Sequence, residues 1–378
     1  MWLWAGSTVR KSRFVQEEKS MRNKKLIILA ALAVAAVMLF CGCAEIEKGE
    51  SNWTPAHGDP KVQTKPTATA ESLVAFGSYP NTAAPNSVTN LFKNIKIDDV
   101  TGLWVEEETE TKDADGNVTG VTVAKYDIQT GYYVEEVTKD GVTTITNYAK
   151  EGNKYYRVQE IQWIILKDMG DSYLLISREI LDAKPFLDEY AVVQWEGSTI
   201  RDWLNGTDDY ARSGEKYIES WNFIDRAFKE DEIAQLKSVT NKTAGNEIFN
   251  TSGGADTEDL VYLFAADELE GYFGNELSMQ AATTPYAAKR GVAAEYKTRF
   301  GSWWLRSPGL NTYFQGVDRN GDVDEGGFSA ADLTVGVRPA IVVAKSAVRT
   351  IDDTLPTAGP IETPTPRPTA RITEKPEG

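Results

Sequence analysis

Trp303, Trp304 and Arg306 stand in one short apolar run, SWWLR. Strand alternation puts Trp303 and Leu305 on one face and Trp304 and Arg306 on the other. An indole face stacks on a sugar ring or an apolar ligand, and a guanidinium forks onto hydroxyl or carboxylate oxygens. Trp304 and Arg306 are therefore candidate ligand-binding residues. The same pair has a structural reading, a core tryptophan beside an arginine paired with a buried acid such as Asp202 or Asp259, because charged side chains are seldom buried alone. Trp163, Arg201, Trp203, Trp303 and Arg338 are expected to serve the scaffold. Asn250 and Asp256 bound a glycine-rich loop, NTSGGAD. Loops of this kind often rim a site, so both join the ligand-binding candidates.

Asp318, Asn320 and Asp322 offer oxygen ligands at the first, third and fifth positions of a calcium-loop pattern. The EF-hand pattern then fails, since Val323 stands where glycine is needed and Ser329 where a bidentate glutamate belongs. The expected structure is a hairpin turned by Asn320-Gly321 with solvated acids. Calcium in some other geometry is the one cofactor left open. No residue is assigned a catalytic role. The chain has a single histidine, His57, and two cysteines, Cys41 and Cys43, all near the N-terminus. Thiol nucleophiles, Ser-His-Asp triads, imidazole bases and Cys/His zinc sites are thereby excluded from everything after residue 57. Carboxylate pairs for glycoside hydrolysis are available in number, but their separation in space decides that chemistry. With 56 acidic against 40 basic residues and a net charge of -16, the chain lacks the basic face that a binder of nucleic-acid phosphates needs.

The elements that must position these residues are short. Residues 106–155 alternate with period two around Asp115-Gly116, Asp140-Gly141 and Glu151-Gly152, which predicts consecutive β-hairpins. IQWIIL (161–166) and YLLIS (173–177) read as an antiparallel pair with one buried face. Ser198 or Thr199 is set to cap a helix in which Ile200, Trp203 and Leu204 share a face, with Asn205-Gly206 ending it. A second helix is expected over 223–237, and a third from residue 265 or 267, fed by a strand at 260–264. Residues 302–306, 313–317 and 334–344 read as strands. Mixed strands and short helices joined by long loops predict an α+β domain.

The N-terminal region reads as an address. Residues 26–40 (LIILAALAVAAVMLF) follow Arg22, Lys24 and Lys25, as the apolar core of an export signal follows its basic flank. The run is shorter than the about 20 apolar residues a membrane-spanning helix needs. Its end, Phe40-Cys41-Gly42-Cys43, resembles the lipobox of bacterial lipoproteins, with Phe40 as a departure from the preferred Leu or Ile. The resemblance implies lipidation, palmitate included, of Cys43 and removal of residues 1–42, with Met21 as the expected true start. Residues 43–71 then form a polar, proline-containing linker. Residues 72–345 form a single domain with a hairpin insertion at about 92–155, and residues 346–378 a Pro/Thr-rich tail.

Seven segments occur in an order that resembles the bacterial domain of unknown function numbered 6273. They are Phe76-Gly77-Ser78-Tyr79-Pro80, residues 161–166, residues 174–177, Leu181-Asp182-Ala183-Lys184-Pro185-Phe186, residues 199–205, residues 303–309, and Gly336-Val337-Arg338-Pro339-Ala340. The resemblance runs over about 74–343 with the insertion as a departure, and it brings no established activity. A more distant likeness, to C-type-lectin-like and sulfatase-modifying-factor domains, implies a C-type-lectin-like mixed α+β fold with long ligand-binding loops. It does not imply formylglycine-generating chemistry, which uses a cysteine pair in the folded domain. The expected function is a non-catalytic binding module on the extracytoplasmic face of the cell membrane, held there by its lipid anchor. Its expected partner is a glycan, peptide or surface polymer and not nucleic acid. The competing expectations are a carboxylate-dependent hydrolase of polysaccharide or cell wall, and a structural surface scaffold.

Overall fold

Thr, Val and Tyr crowd the first half of the folded chain, and these are the residues that pack best on a pleated surface. The computed structural model describes residues 72–96, 107–127, 130–188, 193–210 and 222–351. The export segment, Cys43, the linker and residues 352–378 lie outside the described residues. Seven strands come first: β1 (Leu73–Ala83), β2 (Glu107–Lys112), β3 (Val118–Asp127), β4 (Tyr132–Lys139), β5 (Val142–Glu151), β6 (Lys154–Asp168) and β7 (Ser172–Ser177). After them come β8 (Asp182–Ala183), β9 (Leu236–Lys237), β10 (Val239–Asn241), β11 (Thr257–Asp259), β12 (Val261–Tyr262), β13 (Ala281–Ala282) and β14 (Phe300–Gly301). The last six are β15 (Trp303–Pro308), β16 (Tyr313–Val317), β17 (Val323–Ser329), β18 (Gly336–Val337), β19 (Ala340–Ala344) and β20 (Arg349–Thr350).

The main sheet has 11 strands in the order β12-β19-β7-β6-β5-β4-β3-β2, with β1 laid between β6 and β20 and β9 on β19. The hairpins sit where the sequence places them. Asp140 and Gly141 both take positive φ (52° and 77°), the requirement of the tight turn that matches strand twist. A second sheet has the order β17-β16-β15-β18-β8, antiparallel except for β15 against β18. Leu181-Asp182-Ala183 therefore reaches the second sheet, while β7, just before it, belongs to the first.

Strands hold 45% and helices 17% of the structure, so the expectation of a C-type-lectin-like α+β domain is corrected to a β-rich antiparallel fold. The expected helix over 223–237 accounts for part of the difference. It breaks into Phe223–Ala227 and Glu230–Ile233, then turns into β9. Phe228 takes extended backbone angles (φ -130°, ψ 143°), which carries its ring into the core against Phe76 and Trp163, with centroids 5.3 and 6.4 Å away. Gly77 makes room for it. At φ 66°, a Cβ there would stand 2.5 Å from the Phe228 ring and 2.7 Å from the Ala227 carbonyl. The same residue bulges β1, whose register against β6 shifts between Ala75 and Ser78.

Two apolar clusters result. The larger packs both sheets around Trp163, Trp195, Trp303, Trp304 and Phe186. The smaller lies under the hairpins and joins Val88, Phe92 and Ile95 to Ala124, Tyr133, Tyr148 and Tyr155. Among the described residues, no helix is long and apolar enough to cross a membrane. The tail expected from residue 346 gives up its first residues to the sheet, since β20 pairs with β1.

Candidate functional site

Trp304 and Arg306 face inward. All six residues of β15 are buried, because the strand is flanked by β16 and β18 and both of its faces are covered. The Trp304 ring is 0% exposed, packs edge-on to Phe186 and Phe328, and donates its indole N–H to the Lys184 carbonyl at 3.0 Å. It offers no face to a ligand, so the stacking platform expected at Trp304 and Arg306 is corrected. Arg306 is also 0% exposed, and its partner is neither Asp202 nor Asp259. It forks onto Glu268 with contacts of 2.7 and 2.6 Å. Asp259 belongs to Arg201, at 2.6 Å.

Trp163 donates to the Phe76 carbonyl at 2.8 Å and Trp303 to that of Met279 at 3.1 Å. Arg338 donates to the Ser177 and Met279 carbonyls and lies 4.9 Å over the Trp303 ring. Asn250 sits at φ 53° in an exposed turn closed by Asn246 and Thr251. Asp256 meets Lys242 at the surface, 3.5 Å away. Asp318 accepts from the backbone N–H groups of Asn320 and Asp322, so its oxygens are committed to the turn. Among the described residues, no group of three or more Asp, Glu, His or Cys side chains is gathered to hold a metal ion.

A cleft of about 410 Å³ lies elsewhere, between the hairpins and the main core, and none of these loop residues is on its lining. Its floor is a chain of hydrogen bonds. Tyr79, on β1 just past the Gly77 bulge, donates to Asp182 at 2.6 Å. Arg290 donates through Nε to Asp182 at 3.1 Å and through Nη1 to Glu151 at 3.1 Å. Tyr286 and Arg290 share one face of the helix Pro285–Arg290, four residues apart, and that helix starts on a Thr284 cap with proline in its first turn. Arg226 comes from the helix Phe223–Ala227, capped by Asn222. It donates to the Tyr286 hydroxyl at 3.3 Å and lies 5.1 Å from the Tyr132 ring centroid and 6.0 Å from that of Tyr286. Tyr132 in turn donates to the Arg226 carbonyl at 3.0 Å. Lys184, held by Asp188 and Tyr210, and Trp203 complete this wall.

The opposite wall belongs to the hairpins: Tyr126 on β3, Tyr133 on β4, and Lys150 and Glu151 on β5. Register places Tyr126 against Tyr133 across the β3–β4 pair, and the two rings meet edge-on at 5.1 Å. The Lys150 ammonium lies 5.8 Å from the Tyr133 ring centroid.

The electrostatics of the cleft run against those of the chain. Four cations (Lys150, Lys184, Arg226, Arg290) face two carboxylates (Asp182, Glu151) on its lining, in a protein of net charge -16. Burial raises the phenols of Tyr79 and Tyr286 above their ordinary range, and the Asp182 charge pushes the same way. Burial, with Tyr155 beside it, pushes Tyr133 up to about 12. The tyrosines are thus neutral hydrogen-bonding groups at physiological pH. Arg290 is held firmly in its charged form, first by Asp182.

Residues 170–345 match the model of the domain of unknown function DUF6273. The DUF6273 residues supply Asp182, Lys184, Trp203, Arg226, Tyr286 and Arg290, whereas Tyr79 and the whole hairpin wall precede the match. The segments at 76–80 and 161–166, which carried part of the resemblance, also lie outside it. No curated protein and no solved structure matches the chain.

Sequence reasoning missed most of this site. Tyr79 and Asp182 stand inside two of the ordered segments, and an aspartate in an otherwise apolar strand was the one available signal, since a buried carboxylate needs partners. Tyr79 and Asp182 are 103 residues apart, and no local spacing announces their contact.

Proposed function

We propose that this chain is an extracytoplasmic binding module, tethered by lipid at Cys43, whose cleft takes a glycan segment of a surface polymer. The observation that carries the reading is the cleft itself. Its volume falls in the range of about 300–1,000 Å³ usual for small-molecule sites. The half-buried rings of Tyr126 and Tyr210 offer faces for sugar rings, and hydroxyl, guanidinium and ammonium groups converge from both walls to bond hydroxyl oxygens.

The competing reading, a carboxylate-dependent hydrolase, has Asp182 and Glu151 as the pair on the lining. One arginine bridges them, and Asp182 also accepts from Tyr79 and from the Ala183 N–H. A general acid needs a proton to give, and acceptors held in this way are better placed to orient a ligand. Binding is therefore favoured over hydrolysis.

An array of glycans and cell-wall fragments tests the proposal. Binding is expected for at least one class, and it should be lost in Tyr126→Ala. Product release from the same panel would favour the hydrolase, and a blank array would refute a glycan ligand. The tether is tested by metabolic labelling with an alkynyl fatty acid. Label should enter the wild-type chain and not Cys43→Ser, and an unlabelled wild type would remove the anchor.

A further inference from the structure

Two cations of the cleft stand apart from the rest. Arg290 has Asp182 and Glu151, and Lys184 has Asp188. Arg226 and Lys150, by contrast, have tyrosine rings and a tyrosine hydroxyl as their direct partners; among the described residues no carboxylate makes an ion pair with either, and Asp182 acts on Arg226 only from beyond ion-pair distance. The Nε of Arg226 is buried and has no hydrogen-bond partner. A buried donor left unpaired is costly, and more so on a guanidinium with no carboxylate in direct contact. Such a group persists when something else supplies the missing acceptor. Arg226 comes from the DUF6273 wall and Lys150 from the hairpin wall, and both line the same cavity.

We infer that the cleft binds an oxyanion, a phosphate or carboxylate carried on a sugar, seated between Arg226 and Lys150. The inference rests on the cleft being the glycan site proposed above. The arginine fork suits two oxygens of a tetrahedral or planar anion, and the lysine closes the other side as a mobile point charge. The ring faces of Tyr132 and Tyr286 offset part of the Arg226 charge without competing for its N–H groups, except for the bond to Tyr286. Glu151 and Asp182 are turned toward Arg290, so the anion need not approach an uncompensated carboxylate. An anionic ligand also explains why an acidic chain keeps a cationic cavity, which would concentrate that ligand locally against the repulsion of the remaining surface.

The test uses the full chain and three sugars that share a ring: glucose 6-phosphate, glucuronate and methyl glucoside. Affinities are read by ligand-observed NMR. At least one anionic sugar should bind about tenfold or more tighter than the neutral one, the size of a charge-assisted hydrogen-bonded contact. Which of the two binds better identifies phosphate or carboxylate as the group. Lys150→Gln, an exposed change that leaves the core untouched, should weaken the anionic sugar about three- to fivefold more than it weakens the neutral sugar. Arg226→Gln should weaken it more. Raising salt from about 50 to about 500 mM should reproduce the Lys150→Gln effect. Equal binding of neutral and anionic sugars, abolished by Tyr126→Ala, would overturn the oxyanion while keeping the glycan cleft. Anionic binding indifferent to Lys150→Gln, Arg226→Gln and salt would overturn it as well, and absence of binding by all three sugars would overturn both readings.

Discussion

Glu268→Gln tests whether Arg306 is a core arginine or a ligand-binding one. In the structure all five guanidinium N–H groups are used. Nε donates to Thr243 Oγ1 at 3.1 Å, Nη1 to the Leu263 carbonyl at 2.6 Å and Glu268 at 2.7 Å, and Nη2 to the Lys242 carbonyl at 3.0 Å and Glu268 at 2.6 Å. The glutamine keeps the shape and removes the one carboxylate, leaving a positive charge in a side chain that is 0% exposed. Breaking a fully buried pair in this way costs about 3–5 kcal/mol. Glu268 is 33% exposed, so water recovers part of that, and about 2–4 kcal/mol is expected. Arg306→Met should cost at least as much, because the Lys242 and Leu263 carbonyls lose their donors at about 1–3 kcal/mol each. The double variant should cost less than the two single changes together, by about 1–2 kcal/mol, since the second change removes a group the first had already orphaned. Urea unfolding followed by tryptophan fluorescence gives the three values. If Glu268→Gln costs under about 0.5 kcal/mol, as surface ion pairs do, the guanidinium is solvated and the burial argument for the whole of β15 fails.

Three further outcomes are expected. Trp304→Ala removes a ring enclosed by Phe186 and Phe328 and should lower stability by about 3–5 kcal/mol in the same unfolding assay; a loss below about 1 kcal/mol would mean the ring is not in the core. Gly77→Ala meets both a left-handed backbone and the Phe228 ring and should cost about 2–4 kcal/mol. Gly116→Ala, at φ 84° with nothing within 4 Å of the added Cβ, should cost only about 1–2 kcal/mol, so equal losses at the two glycines would refute the steric account. Finally, burial holds the phenols of Tyr133, Tyr148, Tyr155, Tyr156 and Tyr286 above the ordinary value, that of Tyr133 up to about 12. Their contribution is whole below about pH 10, where both states keep the proton. It is lost as pH rises through the folded values, because the unfolded chain releases protons first. Phenolate absorbance and circular dichroism should therefore change together between about pH 10 and 12; tyrosines titrating near 10 with an unchanged fold would contradict this.

Local chemistry carried well into the fold. Asp140-Gly141 turned the hairpin it promised, and Ser198 and Gly206 bracket the helix Thr199–Asn205 with Ile200, Trp203 and Leu204 inward. What failed depended on distant neighbours. The periodicity of 223–237 is helical, but Phe228 gains more by entering the core beneath Gly77 than by continuing the helix. Alternation along SWWLR gave no sign that β16, β18 and their surroundings cover both faces of the strand. Arg306 pairs with Glu268, 38 residues away, and Asp259 with Arg201. The cleft was least legible of all, since its walls come from strands and helices brought together by the β1–β6 register and by the crossing of residues 178–183 between sheets.

The small aromatic cluster under the hairpins has a bearing on how such a protein changes over time. That lobe shares backbone ladders with its host but carries its own apolar knot, so the tips of β3, β4 and β5 are the positions that can be rewritten as a cassette, whereas Tyr132 and Ala149 belong to the tryptophan-rich body. The outer part of one side of the cavity is thus open to change while the other side, bearing Arg226 and the Asp182–Arg290 brace, stays fixed.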